Sequence, residues 1–140
     1  MIEQKDVIAF FDERAGDWDA GMVRSDEKIG RILDNAAVRE GSRVLDVACG
    51  TGVLIGDYLR RGVASVTAVD ISPEMIRIAR EKFPQENVRF VCGDAESAPL
   101  GENFDAIVVY NAFPHFPDPE RLVARLAARL VSGGRLTVAH

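Results

Sequence analysis

The stretch that decides the fold is residues 44–52, which read VLDVACGTG. Its first half is apolar apart from Asp46, as in a buried strand, and its second half carries the glycines of a tight turn. Two further acids, Asp70 and Asp94, follow at equal intervals, each at or just after the end of another apolar run. Because parallel strands bring their C-terminal ends to one edge, where ligands bind in open α/β sheets, we expect the three carboxylates to share a binding edge.

Strands and helices alternate along most of the chain, which predicts right-handed crossovers and a parallel sheet covered on both faces. The spacing predicts strands at 44–48, 66–70, 88–92, 104–110 and 135–139, and helices at 53–61, 73–83 and 119–131, the last closed by Gly133 and Gly134. Helical spacing also marks the first forty residues. We therefore expect one α/β structural domain, in which an N-terminal helical segment (1–40) precedes the sheet (41–140).

Composition limits the classes of function. The 140 residues carry a formal net charge of -5, which disfavours nucleic acid as a partner because such binding needs lysine and arginine to neutralise phosphates. Arg121, Arg125 and Arg129 are accordingly interpreted as a solvated helix stripe. Cys49 and Cys92 lack the spacing of a zinc or redox site and are expected to be buried, with no metal bound. With neither a leader nor a run near the roughly 18 apolar residues of a membrane span, a cytoplasmic protein is expected.

A glycine turn after a strand also opens the dinucleotide-binding folds. Their Gly-x-Gly-x-x-Gly pattern would require a third glycine where this chain has Ile55. Asp46, just before the turn, would oppose a pyrophosphate, whereas it suits an ammonium or a sulfonium. An acid about 20 residues beyond such a turn commonly accepts hydrogen bonds from a ribose, which fits Asp70. This combination indicates S-adenosylmethionine as the ligand and a small molecule as the substrate.

The third acid has two interpretations. In the segment VCGDAE, the Asp94 carboxylate could accept the adenine amino group while the backbone of Ala95 meets a ring nitrogen. Alternatively, Asp94 caps its own loop as an Asx turn. The sequence leaves both interpretations open.

Five ordered motifs together resemble the class I S-adenosylmethionine-dependent methyltransferases: VLDVACGTG, AVDIS, GDAESAPL, NAFPHF and SGGRLTVAH. The opening FFDERAGDWD is similar to the subgroup that methylates small molecules. The resemblance implies a doubly wound, Rossmann-like sheet of order 3-2-1-4-5. It also implies cofactor contacts from Asp46, Ala48, Gly50, Gly52, Asp70, Ile71, Asp94, Ala95 and Asn111. Ala48 stands where the family usually has glycine, and we expect its backbone to keep ordinary dihedral angles.

The resemblance also implies roles for two flanking segments. The N-terminal helical segment would cover the cofactor, with Phe11, Arg14 and Trp18 as contacts, while Phe10 is expected to pack the segment onto the domain. His115, after the fourth strand, could accept a proton from the methyl acceptor, or it is a solvated loop histidine. The implied reaction is direct in-line displacement that moves the methyl group to a small acceptor and leaves S-adenosylhomocysteine, without a metal.

Members of this family normally continue past the fifth strand with a helix and an antiparallel pair of strands, which this sequence does not contain. The strand at 135–139 would then be an exposed apolar edge, which favours pairing with another chain. We therefore expect a truncated form or a homodimer through this edge. An alternative function is a cofactor-binding module or remnant without catalysis, because both interpretations require the same cofactor motif.

Overall fold

Residues 25–110 and 116–139, which this computed structural model describes, form a parallel sheet flanked by helices. The sheet has the order β3-β2-β1-β4-β5, which confirms the predicted fold class and strand order. Its strands are β1 (Arg43–Val47), β2 (Ser65–Asp70), β3 (Val88–Cys92), β4 (Phe104–Tyr110) and β5 (Leu130–Ala139). The helices are α1 (Asp26–Asn35), α2 (Ile55–Arg60), α3 (Pro73–Lys82) and α4 (Pro119–Ala127).

Three helices begin where a short polar side chain caps them. Ser25, Ser72 and Asp118 each accept a hydrogen bond from the backbone N–H three residues later, at 3.0–3.2 Å. Proline occupies the first position of α3 and α4, where its missing N–H costs no hydrogen bond. The predicted start of α3 is therefore confirmed, and the cap explains it.

Apolar side chains cover both faces of the sheet. One face packs against α1 and α2, through Ile29, Ile32, Leu33, Ile55 and Tyr58. The other face packs against α4, where Leu122 and Leu126 have no exposed surface. Burying one such side chain contributes about 1.5–3 kcal/mol, so this packing holds the helices firmly on the two faces of the sheet. The longest described helices have 10 residues, about half the length of a membrane-spanning helix.

The end of α4 differs from the prediction. The helix ends at Ala127 rather than residue 131, and Gly133 and Gly134 lie within β5 instead of closing the helix. Leu130 pairs with Phe104 of β4, and the register then shifts before pairing resumes. A Cβ at Gly134 would lie 3.1 Å from two carbonyl oxygens of β4. Strand pairing therefore overrides helical spacing here, and the glycines allow the close approach.

One further prediction about side chains was wrong. Cys49 is buried as expected, but Cys92 is exposed, because β3 is an edge strand and its end lies at the rim of the sheet. Arg121 and Arg125 are exposed on α4, as predicted, and Arg129 follows the end of the helix, but all three arginines also make local contacts. They reach the loop between β3 and β4, where Arg121 pairs with Glu96 and Arg129 donates a hydrogen bond to the Gly101 carbonyl.

Candidate active site

The three predicted acids lie at the ends of three neighbouring strands. Asp46, in β1, is in register with Ala68 of β2, and Asp70 ends β2 opposite Cys92 of β3. Asp94 follows two residues after the end of β3. All three therefore occupy the C-terminal edge of the sheet, which we call the carboxylate edge (Asp46, Asp70 and Asp94). In open parallel sheets this is the edge that binds ligands.

The turn between β1 and α2 contains three residues with left-handed backbone. Their φ angles are +60° at Ala48, +59° at Gly50 and +90° at Gly52. The expectation that Ala48 keeps ordinary dihedral angles was therefore wrong. A left-handed conformation costs a residue with a Cβ roughly 1–2 kcal/mol, so the fold stores strain at this position. Such strain is commonly found where a chain is shaped around a ligand.

Packing as well as backbone conformation explains Gly52. A Cβ at this position would lie 2.8 Å from a ring carbon of Phe83 and 3.2 Å from Ile55 Cδ1. Phe83 directly follows α3, so the turn after β1 packs against the end of the helix that follows β2. Glycine at position 52 therefore lets the turn pack closely against Phe83 and Ile55, and this role does not depend on a ligand.

Asp70 connects the turn to its own strand. Its Oδ2 accepts a hydrogen bond from the Gly50 N–H at 2.8 Å, and its Oδ1 accepts one from the Ser72 N–H at 2.9 Å. The main chain adds a bond from the Cys49 N–H to the Val69 carbonyl, at 3.0 Å. These two hydrogen bonds hold the Asp70 carboxylate at the C-terminal end of β2, between the turn after β1 and the start of α3.

Asp46 is almost fully buried, with 2% of its surface exposed. Its Oδ1 accepts a hydrogen bond from the Tyr58 hydroxyl at 2.9 Å, and its buried Oδ2 has no hydrogen-bond partner in the described part of the chain. Burial raises the pKa of Asp46 to about 7, against the opposing effect of the Tyr58 hydrogen bond, and the nearby Asp70 raises it further. Burial, with the charges of Asp70 and Asp46, likewise raises the pKa of the Cys49 thiol. The group that lacks a partner is therefore an acid at the edge where a ligand would bind.

Asp94 makes the local hydrogen bond expected of a residue that caps its own loop. Its Oδ1 accepts a hydrogen bond from the Glu96 N–H at 2.9 Å, which forms an Asx turn. The Glu96 side chain, only 6% exposed, in turn accepts two hydrogen bonds from the Arg121 guanidinium, at 2.6 and 3.1 Å. The Arg121 hydrogen bond holds the pKa of Glu96 below its usual value, against the desolvation that burial causes. An ion pair to α4 thus anchors the loop that carries Asp94 and Ala95.

Other predicted site residues have different positions. Ile71 is half-buried directly after β2, and Ala95 is 5% exposed. Tyr110, which ends β4, packs against the core, and the Lys28 ammonium lies 5.9 Å from the centre of its ring. The remaining predicted residues lie outside the described part of the chain; they are Phe10, Phe11, Arg14, Trp18, Asn111 and His115.

Sequence reasoning missed Tyr58 and the pair between Glu96 and Arg121. The signal for Tyr58 was available, because it lies one helical turn after Ile55 on the buried face of α2. A buried tyrosine hydroxyl needs a hydrogen-bond partner, and Asp46 is an acceptor on the strand just before that helix. No comparable signal existed for Glu96, whose partner is 25 residues away in the chain.

The arrangement fits a cationic nucleoside better than a phosphorylated ligand. The unpartnered Oδ2 of Asp46 can accept from an ammonium group, whereas a phosphate there would meet two carboxyl groups and no arginine or lysine that the structure places beside them. Among the described residues, no group of histidine, cysteine and acidic side chains could hold a metal ion. The donors and acceptors therefore suit a ligand that carries a positive charge and hydroxyl groups.

Comparison with known proteins decides the family. Residues 44–134 match the family model described as a methyltransferase domain. The chain belongs to the class I S-adenosylmethionine-dependent methyltransferases. Within this family it is 36% identical to a malonyl-[acyl-carrier protein] O-methyltransferase of Acetivibrio thermocellus, over 97% of this chain and 49% of that protein. It is 32% identical to a ubiquinone biosynthesis O-methyltransferase of Coxiella burnetii, over 94% of this chain and 60% of that protein.

A solved structure supports the same fold. The structure of a DhpI–SAH complex superposes with a TM-score of 0.79 at 25% identity, over 96% of this chain and 67% of that one. This methyltransferase chain thus spans about half to two thirds of the length of the relatives it matches. The described residues contain the five-stranded sheet and the carboxylate edge.

Proposed function

We propose that this chain binds S-adenosylmethionine at the carboxylate edge and takes part in methyl transfer to an oxygen of a small-molecule acceptor. The observation that carries the proposal is the buried, unpartnered Oδ2 of Asp46 beside Asp70. A buried acceptor without a partner costs free energy, and an ammonium group of a ligand would recover it. The oxygen acceptor is inferred from relatives that are named O-methyltransferases.

Each part of the edge is assigned a part of the cofactor. Asp46, with Ala48, Gly50 and Gly52 in the turn, would hold the amino acid end. Asp70, which the Gly50 and Ser72 N–H groups hold at the end of β2, would accept hydrogen bonds from both ribose hydroxyls.

The adenine would lie between the ends of β2 and β3. Ile71 would pack against the ring, and Asp94 with the Ala95 backbone would contact its edge, since the Asx turn holds Asp94 in the loop directly after β3. Arg14, Trp18 and Asn111 are proposed as further cofactor contacts from the resemblance alone. His115 is proposed as a proton acceptor because it follows the fourth strand in the sequence and carries an imidazole.

Methyl transfer of this kind needs little acid or base catalysis from the protein. When bound, S-adenosylmethionine supplies a methyl group that an acceptor oxygen displaces in line, leaving S-adenosylhomocysteine. The positive charge on sulfur is lost in this step, so the residues of the edge act mainly by aligning the reactants and excluding water. The proton of the acceptor oxygen passes to solvent or to a base such as His115.

We also propose a role for each of the two segments of the chain and for the edge strand β5. Residues 1–40 would act as a lid and 41–140 as the cofactor-binding part of one domain, although α1 already packs into the core that β1 shares. β5 pairs only with β4 within the described residues, and Val138 is 37% exposed there. This edge would accept a second copy of the chain, which size-exclusion chromatography with light scattering tests directly.

The deciding experiment is calorimetry of the purified chain with S-adenosylmethionine, S-adenosylhomocysteine and NAD. We expect both adenosyl ligands to bind and NAD to give no heat, because the third glycine of the dinucleotide pattern is replaced by Ile55. Binding of NAD without a response to S-adenosylmethionine would overturn the proposal.

Catalysis is tested separately from binding. Transfer of a labelled methyl group to a panel of small hydroxyl and carboxyl acceptors distinguishes an enzyme from a binding module. Tight cofactor binding with no transfer to any acceptor would favour the module.

A further inference from the structure

The Asp46 carboxyl group and the Tyr58 hydroxyl form a buried pair behind the turn. The two oxygens are 2.9 Å apart, Tyr58 has no exposed surface, and Asp46 has 2%. The strand residues beside Asp46 in the sheet are Ala68 and Val108, which offer no polar side chain. The hydrogen bond from Tyr58 therefore fixes the orientation of the Asp46 carboxyl group.

Among the described residues, the pair leaves one carboxylate oxygen without a hydrogen-bond partner. The titratable groups that face Asp46 in this part of the chain are Tyr58 from α2, Asp70 from β2 and Cys49 from the turn, and none of them is a cation. A phenol donates one hydrogen bond, so Oδ1 is occupied and Oδ2 is left without a partner. A buried carboxylate in this position lacks the counter-charge that such groups normally have.

We propose that Tyr58 is a positioning residue for the cofactor, holding Asp46 by Oδ1 so that Oδ2 accepts from the ammonium group of the ligand's amino acid part. The inference rests on the proposed function, since it assigns the ammonium to Asp46. Tyr58 itself does not touch the ligand. It acts by fixing the rotation of the carboxyl group and by favouring the ionised form that a cation requires.

This role has a consequence for pH. Because burial raises the pKa of Asp46 to about 7, a fraction of the free protein carries a proton on Asp46 at neutral pH. Binding of the ammonium favours the carboxylate and releases that proton, so affinity rises with pH and levels off above about 7. Without the Tyr58 hydroxyl the pKa of Asp46 rises further, and the affinity curve moves to higher pH.

The test is Tyr58→Phe, which removes one oxygen atom and keeps the ring. Calorimetry from pH 6 to pH 9 should show that S-adenosylmethionine binds about tenfold more weakly at pH 7, with the midpoint of its pH dependence moved upward. S-adenosylhomocysteine, which keeps the ammonium but not the sulfonium, should weaken equally. 5′-Methylthioadenosine, which has no amino acid part, should bind both proteins alike.

Ser42→Ala is the matched control. It removes a buried hydroxyl that accepts a hydrogen bond from the Arg39 N–H at 3.1 Å, at the opposite end of β1, and should change no ligand affinity. If Tyr58→Phe does not fold, Asp46→Asn with Tyr58 retained replaces it. That variant should lose the pH dependence of S-adenosylmethionine binding and keep its affinity for methylthioadenosine.

The outcomes separate the inference from the proposed function. Unchanged affinity and pH midpoint in Tyr58→Phe, while the unaltered chain binds S-adenosylmethionine, would overturn the inference alone. Equal loss of affinity for all three ligands would also overturn it, because the role would then be general structural support. A failure of the unaltered chain to bind S-adenosylmethionine would overturn both.

Discussion

The turn after β1 and the loop after β3 each carry an aspartate near the end of a strand, but the two carboxyl groups have different partners. Asp46 is buried, with one oxygen bonded to Tyr58 and the other without a partner. Asp94 bonds to its own loop, which an ion pair from Glu96 to Arg121 anchors to α4. The comparison teaches that two acids at the same edge of a sheet can differ in how much of their hydrogen bonding the fold supplies.

Asp70, which lies between these two regions, gives the largest expected effect. Asp70→Ala should lower the affinity for S-adenosylmethionine by about 2 kcal/mol or more, roughly 30-fold, because both ribose contacts and the hydrogen bond to the Gly50 N–H are lost. Calorimetry measures the change. Asp105→Ala is the control, since Asp105 also accepts from a backbone N–H, that of Arg43 at 2.8 Å, at the far end of the sheet. Equal affinity in the two variants would contradict the ribose assignment.

Asp46→Asn tests how much the buried Asp46 carboxylate, with one unpartnered oxygen, lowers the free energy of unfolding. The folded protein holds the proton of Asp46 up to about pH 7, whereas the unfolded chain releases it near the ordinary value of 3.8. Because the folded state binds more protons in this window, stability falls as the pH rises through it, by about 1.4 kcal/mol per pH unit at most. The asparagine variant lacks this loss and should be more stable than the unaltered protein at pH 8 by about 2 kcal/mol.

Urea unfolding at pH 4, 6 and 8 measures that gain, which should vanish towards pH 4. Asp34→Asn serves as the comparison, because Asp34 is 73% exposed in its pair with Arg61 and should show no such trend. A gain that does not change with pH would show that Asp46 is not the source.

Arg121→Met tests the anchored loop. Glu96 would lose both side-chain hydrogen bonds and stay mostly buried, so the melting temperature should fall by a few degrees. The loss should shrink at acid pH, because Arg121 lowers the pKa of Glu96 and its stabilising effect disappears as Glu96 takes up a proton. Arg77→Met removes similar bonds between exposed partners on α3 and should change the melting temperature less. An equal change in both would mean that the burial of Glu96 has no effect.

Ala48→Gly gives the smallest expected effect. Glycine relieves the left-handed strain but gives the unfolded chain more freedom, so the expected gain is about 1 kcal/mol or less. Ala37→Gly should gain similarly, since its φ is +57° at the end of α1, whereas Ala36→Gly, with φ at -77°, should lose stability. Thermal unfolding of the three variants measures these changes in stability. A loss of stability in Ala48→Gly would show that the position carries no strain.

The sheet could be predicted from the sequence because the patterns that indicate its strands and turns are local in the chain. Buried apolar runs and the Ser72 cap predicted the strands and the start of α3, and the spacing of the acids predicted the carboxylate edge. The strand order was implied by the family resemblance. Prediction from the sequence failed where tertiary contacts decide, as at Leu130, which pairs with Phe104 although its spacing fits a helix. The hydrogen bond from Tyr58 to Asp46 was predictable in principle, whereas the left-handed backbone of Ala48 was not, because alanine usually avoids that conformation.

The irregular pairing between β4 and β5 has a practical consequence. The register shift lies between Phe104 and Ala106, at the end of the sheet opposite the three acids, and Ser132 and Gly133 are exposed there. Pairing is regular again from Ile107 onward, towards the ligand edge. A short epitope tag or fluorescent peptide inserted at 132–133 would therefore leave the chemistry undisturbed, which makes this the natural attachment point for surface immobilisation.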